Sequence, residues 1–262
     1  MELPLYQADA FTDRLFSGNP ACVVPLRRWL ADNILLQIAK ENAVAETAFF
    51  IINDASIHLR WFTPEIEMDL CGHATLATAH VLKSILQYKS DRIVFNTLSG
   101  NLTVSINKDL YTLDFPSRKP IPAVLPKIIA EALDMQPISV LKARDFVLVY
   151  NCEEDIRNIR VNRAVFDQIN LGTGGVVITA PGDSCDFVSR FFSPQAAILE
   201  DPVTGSAHCS LIPYWSEQLN KKEMEAWQLS ERGGKLFCED HAERVFISGM
   251  ARTYSIGTLW TE

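Results

Sequence analysis

The order of apolar and polar positions along the first third of the chain reads as strand (3–10), strand (21–26), helix (30–41), strand (46–52), strand (57–62) and helix (73–87). Three short β runs follow at 92–97, 101–107 and 110–115. The stretch "FPSRKPIPAVLP" then places Pro116, Pro120, Pro122 and Pro126 within a dozen residues, a boundary signal. Beyond it the pattern predicts a helix (123–134), β segments near 138–150, short helices near 153–168 and strands at 175–180 and 186–192. A helix starting near 205 and closing strands from about 226 to 260 complete the chain. The division this predicts is an N-terminal lobe of residues 1–115 and a C-terminal lobe of 116–262, with the final strand region a candidate to cross back to lobe one.

The two halves share a plan. "RWFTPEIEMDLCGHATLATAHVL" (60–82) and "RFFSPQAAILEDPVTGSAHCSLIPYW" (190–215) each run Arg, aromatic, Phe, Thr/Ser-Pro, acidic loop, Gly and a small-residue helix start. Pro64 and Pro194 are 130 residues apart, Gly72 and Gly205 are 133 apart, so the second copy carries a small insertion. One such match would be chance; strand, loop, Gly and helix in the same order in both halves predicts an internal duplication. The first helix, "HATLATAHVLKSIL", is apolar nearly all round, as suits a helix sunk in a domain. In the second, Pro213 removes the hydrogen bond to the carbonyl of Cys209 and predicts a kink.

Composition narrows the class. The chain has 262 residues, 48% hydrophobic and 21% charged, ordinary for a globular protein with one large or two smaller cores. A net charge of −8 argues against general nucleic-acid or membrane-surface binding, which need a basic footprint. No window approaches the roughly 18–20 apolar residues of a spanning helix. The start, "MELPLYQADAF", lacks the basic-then-apolar order of a signal peptide. Six scattered cysteines make no Cys-x-x-Cys pair and no zinc-ligand spacing. A cytoplasmic, metal-independent protein is the expectation.

Candidate chemistry lies at three places. In "AETAFFIIND" (45–54) one carboxylate, Glu46, stands in an apolar run, where burying its charge costs several kcal/mol unless it is paired or holds a proton. Two readings stand: a proton-transfer group tuned towards neutral pH, or a Glu bonded to backbone N–H groups at a strand entrance. The helix starts at Gly72-His73-Ala74 and Gly205-Ser206-Ala207 offer unpaired N–H groups that suit a substrate carboxylate; two glycine-started core helices are the plain alternative. Asp201 reads as a second acid/base group or as a turn or capping residue. His73 reads as a donor or proton shuttle, or as a capping-region histidine, and His80 as core. His208 and Cys209 diverge by about 100° on a helix, so a shared metal is not expected. "LGTGGVVITAPG" (171–182) fails as a dinucleotide loop because a strand follows its glycines.

With "DAFTDRLFSGNPACVV" (9–24), "AETAFF" (45–50), "RWFTPEIEMDLCGHAT" (60–75), "TLSGNLTV" (97–104), "FFSPQAAILEDPVTGSAHC" (191–209) and "LSERGGKL" (229–236), the chain resembles the phenazine-biosynthesis isomerase family (PhzF-like). That resemblance implies an α+β, diaminopimelate-epimerase-like fold: two similar lobes, each a curved, barrel-like and mostly antiparallel sheet around a central helix, with the site in the cleft between them. It implies a cofactor-free and metal-free isomerase, often a homodimer, that transfers a proton on a small carboxylate-bearing molecule. The family's catalytic Glu corresponds to Glu46, its Gly-His motif to Gly72-His73, and its Asp and Ser to Asp201 and Ser206; Asn19 lies in the matching Gly-Asn-Pro loop. Related epimerases use one cysteine from each lobe. Cys71 stands at the first such place, but the second falls at about Pro202 and no residue from 186 to 208 is Cys, which disfavours a two-thiol racemase. The competing class is a catalytically idle protein that binds an organic acid on the same fold.

Overall fold

The structure, a computed structural model, describes residues 1–53 and 56–262. It divides into two units, one of Met1–Phe115 with Ser248–Glu262 and one of Pro116–Ile247. The closing strand belongs to the first unit because its ladder partner is the chain's first strand: Glu2 pairs with Trp260 and Ala10 with Ala251, antiparallel.

The first unit holds β1 (Glu2–Ala10), β2 (Asn19–Pro25), α1 (Asp32–Asn42), β3 (Glu46–Asn53), β4 (Ser56–Phe62), β5 (Glu67–Met68), α2 (Gly72–His80), β6 (Arg92–Thr97), β7 (Gly100–Asn107) and β8 (Leu110–Pro116). β1 pairs antiparallel with β2, β2 parallel with β3, β3 antiparallel with β4, β4 parallel with β6, and β6 antiparallel with β7. Every residue of α2 is buried, and the helix packs against β1, β2 and β3. Its sequence explains this, since small and apolar residues on all sides leave no face for water. The α pattern ends at His80 and continues as a π-turn over Val81–Ile85, within the stretch expected to be one helix.

The second unit holds β9 (Ile121–Pro122), α3 (Lys127–Ala132), β10 (Ser139–Lys142), β11 (Phe146–Val149), α4 (Glu153–Asn158), α5 (Arg163–Phe166), β12 (Val176–Pro181), β13 (Phe187–Phe192), β14 (Glu200–Asp201), α6 (Gly205–Leu219), β15 (Glu223–Gln228), β16 (Gly234–His241) and β17 (Arg244–Gly249). β18 (Ala251–Trp260) is the returning strand. Here β10, β11, β12, β13, β15 and β16 pair in the same succession as β1, β2, β3, β4, β6 and β7: antiparallel, parallel, antiparallel, parallel, antiparallel. The helix expected at 123–134 begins only at Lys127, because Pro122 lies in β9 and Pro126 takes the position before the first turn.

The repeated sequence plan has a repeated physical role. Arg60 makes a two-pronged ion pair with Glu67, both contacts 2.7 Å, and its guanidinium lies 5.0 Å over the Phe62 ring. Arg190 does the same with Glu200, at 2.7 and 2.8 Å, and lies 5.0 Å over Phe192. Each fork ties a two-residue strand (β5 or β14) to the strand before it and so fixes the loop that leads into the glycine-started helix.

α6 runs unbroken through Pro213. The carbonyl of Cys209 that the proline cannot reach accepts the backbone N–H of Arg118 at 2.9 Å, so the missing helical bond is replaced from the proline-rich segment.

Candidate active site

In the first unit, β2, β3 and the start of α2 bring Asn19, Glu46, Cys71 and His73 together. Gly18 (φ 67°) makes the turn before β2: a Cβ there would stand 2.2 Å from the carbonyl oxygen of Ala10, so only glycine lets the chain deliver Asn19. Asn19 is fully buried and its Nδ2 lies 3.1 Å from Nδ1 of His73. On the other side of the ring, Nε2 lies 3.0 Å from Oε2 of Glu46, the first residue of β3. With Nδ1 accepting from Asn19, the hydrogen of a neutral ring sits on Nε2 and faces the carboxylate. Cys71 Sγ is 3.6 Å from Nδ1. Thus Glu46 is not the isolated carboxylate that the apolar run around it suggests; it faces an imidazole.

The 3.0 Å approach is close but badly directed. Oε2 of Glu46 and Nε2 of His73 are both buried, and neither has a well-aligned hydrogen-bond partner among the described residues. Buried polar atoms in that state are rare in finished structures and often belong to catalytic groups whose bonds align only around a substrate. Burial lowers the proton affinity of His73, yet its contacts with Cys71 and Glu46 outweigh that and hold the ring well above the usual histidine range. Burial pushes the Cys71 thiol up to about 11, with the Glu46 charge adding to the effect. At neutral pH Cys71 is therefore a thiol, which leaves Glu46 as the charge that acts on His73. Ligand atoms of Glu46, Cys71 and His73 all lie within 4.8 Å of one another, a set able to hold a soft divalent ion such as zinc.

In the second unit, Asp201, Thr204, Gly205 and Ser206 form the entrance to α6. Asp201 accepts the hydroxyl of Thr204, a side-chain bond within the turn that leads into α6. Gln228 holds the same turn: its Oε1 accepts the Thr204 N–H at 2.8 Å and its Nε2 donates to the Asp201 carbonyl at 2.8 Å. Ser206 Oγ accepts a bond from Nη2 of Arg144 at 2.8 Å. Arg144 is in turn gripped by Asp145, with contacts of 3.2 Å from Nε and Nη2, and Oδ1 of Asp145 accepts the N–H of Gly175 at 2.9 Å. Sequence reasoning missed Arg144 and Asp145. The available signal was two charges abutting the apolar run Phe146–Val149, the same anomaly that marks Glu46.

Aligned by their ladders, the units show what each has kept. Thr47 pairs with Phe62 and Val176 with Phe192, so Gly175 occupies the place of Glu46. A Cβ at Gly175 would stand 2.4 Å from the Phe191 ring, which leaves no room for a carboxylate. From the helix starts, Ser206 takes the place of His73 and Thr204 that of Cys71, two residues later than the expected position at Pro202. Thr204 is no thiol either, so the two units do not supply a cysteine pair.

Among the described residues, no helix is long and apolar enough to cross a membrane. A family model described as phenazine biosynthesis-like protein matches residues 8–257. An uncharacterized isomerase of Pseudomonas aeruginosa is 46% identical over 259 residues, covering 99% of both chains. The crystal structure of a PhzF-family phenazine biosynthesis protein from Enterococcus faecalis superposes with a TM-score of 0.93 at 42% identity, covering 100% of each chain. A hydroxyproline epimerase from Agrobacterium vitis shares the fold alone, with a TM-score of 0.64 at 9% identity over 98% of this chain and 92% of the other. The α+β fold with epimerase-like neighbours is therefore the one the family resemblance implies, and the chain belongs to the phenazine-biosynthesis-like (PhzC-PhzF) family.

Proposed function

We propose that the protein is an isomerase or epimerase that moves a proton on a small carboxylate-bearing metabolite, using its own side chains. Glu46 is the principal acid/base. As a carboxylate it takes a proton from a substrate carbon and returns it at another position or on the other face. His73 faces it through Nε2 and holds or supplies a proton as Glu46 changes state, while Asn19 fixes the ring from the Nδ1 side. When the ring carries both protons, Asn19 must turn its amide oxygen towards Nδ1. Gly72, Gly205 and Ser206 bind the substrate's anionic group through N–H and hydroxyl donors, with Asp201 assisting in proton transfer.

The observation that carries this reading is the buried Glu46–His73 approach at 3.0 Å with neither atom well bonded. Family membership and the isomerase named among its relatives support the reaction class. The test is a panel of small carboxylates incubated with the protein in heavy water and scanned by mass for a one-unit gain. A gain that vanishes in Glu46→Gln supports the assignment. Ligand-dependent thermal stabilisation with no deuterium gain across the panel would instead mark an idle binding protein.

A further inference from the structure

We propose that Arg144 is a positioning residue that aims the Ser206 hydroxyl at the substrate's carboxylate, with Asp145 as its anchor. This deepens the proposed function and rests on its reading of Ser206 as an anion-binding group. A serine hydroxyl has one hydrogen and can rotate it freely. Here the oxygen of Ser206 already accepts from Nη2 of Arg144 at 2.8 Å, so its own hydrogen is turned away from the guanidinium and left to donate. A charged donor on the oxygen also makes that hydrogen a stronger donor than a free hydroxyl offers.

The anchoring is specific. Asp145 is 1% exposed and Arg144 15%; two contacts at 3.2 Å grip the Nε–Nη2 edge, and the Gly175 N–H fixes the carboxylate itself. Buried ion pairs seldom stabilise more than apolar side chains of the same volume, so fold stability alone does not account for this one. Its position does. Where the first unit has Glu46 facing His73, the second has Gly175 and Ser206, and the Asp145–Arg144 fork fills the space behind the serine. The second unit thereby trades a proton-transfer pair for an oriented donor that carries no net charge, suited to a carboxylate rather than to a proton.

The test follows the backbone resonances of Gly205 and Ser206 in ¹⁵N-labelled protein titrated with benzoate, and separately with acetate. Saturable shifts are expected in the wild type, with affinity about tenfold weaker in Ser206→Ala and in Arg144→Gln, as for loss of one charge-assisted hydrogen bond. The double variant should bind no more weakly than Ser206→Ala alone, because Arg144 acts through Ser206. Arg144→Lys keeps charge and stem, is the variant to use if Gln does not fold, and should bind about threefold more weakly than wild type since it lacks the fork. Wild-type affinity in both Arg144 variants, with Ser206→Ala weakened, would overturn the inference while leaving Ser206 as a binding residue. Losses that multiply in the double variant would overturn it too, by making Arg144 a direct contact. No saturable shift in the wild type with either anion would overturn the reading of Ser206 itself.

Discussion

Nε2 of His73 and Oε2 of Glu46 lie 3.0 Å apart, buried, without the alignment of a settled hydrogen bond. A pair so placed can exchange a proton with little movement, because the distance is already that of a transfer and only direction must change. Glu46→Gln keeps the side-chain shape and removes the exchangeable charge. Deuterium incorporation into a true substrate should fall roughly 10²–10⁴-fold, with the thermal midpoint little changed. An unchanged exchange rate would remove Glu46 from the mechanism.

The same pair gives the protein a defined response to alkali. His73 has its proton affinity raised in the folded state, so the fold binds more protons than the unfolded chain. Its contribution to stability is fully present below the usual histidine value of about 6.5 and is lost as pH rises through the higher folded value. Urea midpoints measured from pH 6 to 9 should therefore decline in the wild type and decline less in His73→Asn. Equal slopes would mean that the ring is not held in its charged form.

Acid should act through a different histidine. His208 is fully buried in α6, donates from Nδ1 to the Thr204 carbonyl at 2.9 Å and has Nε2 unbonded among the described residues. Burial lowers its value to about 4. A lowered folded value gives stability that is present above about 6.5 and lost as pH falls towards 4, on the order of 3 kcal/mol for such a shift. His80, lowered to about 4 by burial and by Arg252, adds to the same limb. His208→Gln should flatten the fall in denaturation midpoint between pH 7 and 4.5, whatever it does to the midpoint at pH 7.

What was legible in the sequence follows from what is local. A carboxylate in an apolar run announces itself, and so do two Gly-led helices at matched depth, because burial cost and backbone freedom are properties of a few adjacent residues. The Arg60–Glu67 and Arg190–Glu200 forks could be sensed only as a repeated plan, since pairing depends on β4 and β13 folding back on short strands. Arg144 and Asp145 show in the sequence only as two charges abutting an apolar run, and the meaning of Arg144 comes from Ser206, 62 residues away. That Arg118 serves the carbonyl of Cys209 opposite Pro213 depends on the proline-rich segment lying against α6, which no local pattern reveals.

In the proposed mechanism Cys71 is not the acid or base, unlike the thiols of a thiol-based racemase. Its place before Gly72 and its 3.6 Å approach to His73 resemble an activated nucleophile, but activation needs a thiolate, and burial with the nearby Glu46 charge pushes the thiol up to about 11. At pH 7.5 almost none of it is ionised, and at 4% exposure it is shielded as well. Iodoacetamide at that pH should label the exposed Cys152 and leave Cys71 unmodified, as read by peptide mass, and Cys71→Ser should keep proton exchange on the substrate within about tenfold of wild type. The serine preserves a small polar group against Nδ1, so a larger loss could not be blamed on an emptied site. It would show that the sulfur itself carries the proton, and Glu46 would then be its base rather than the substrate's.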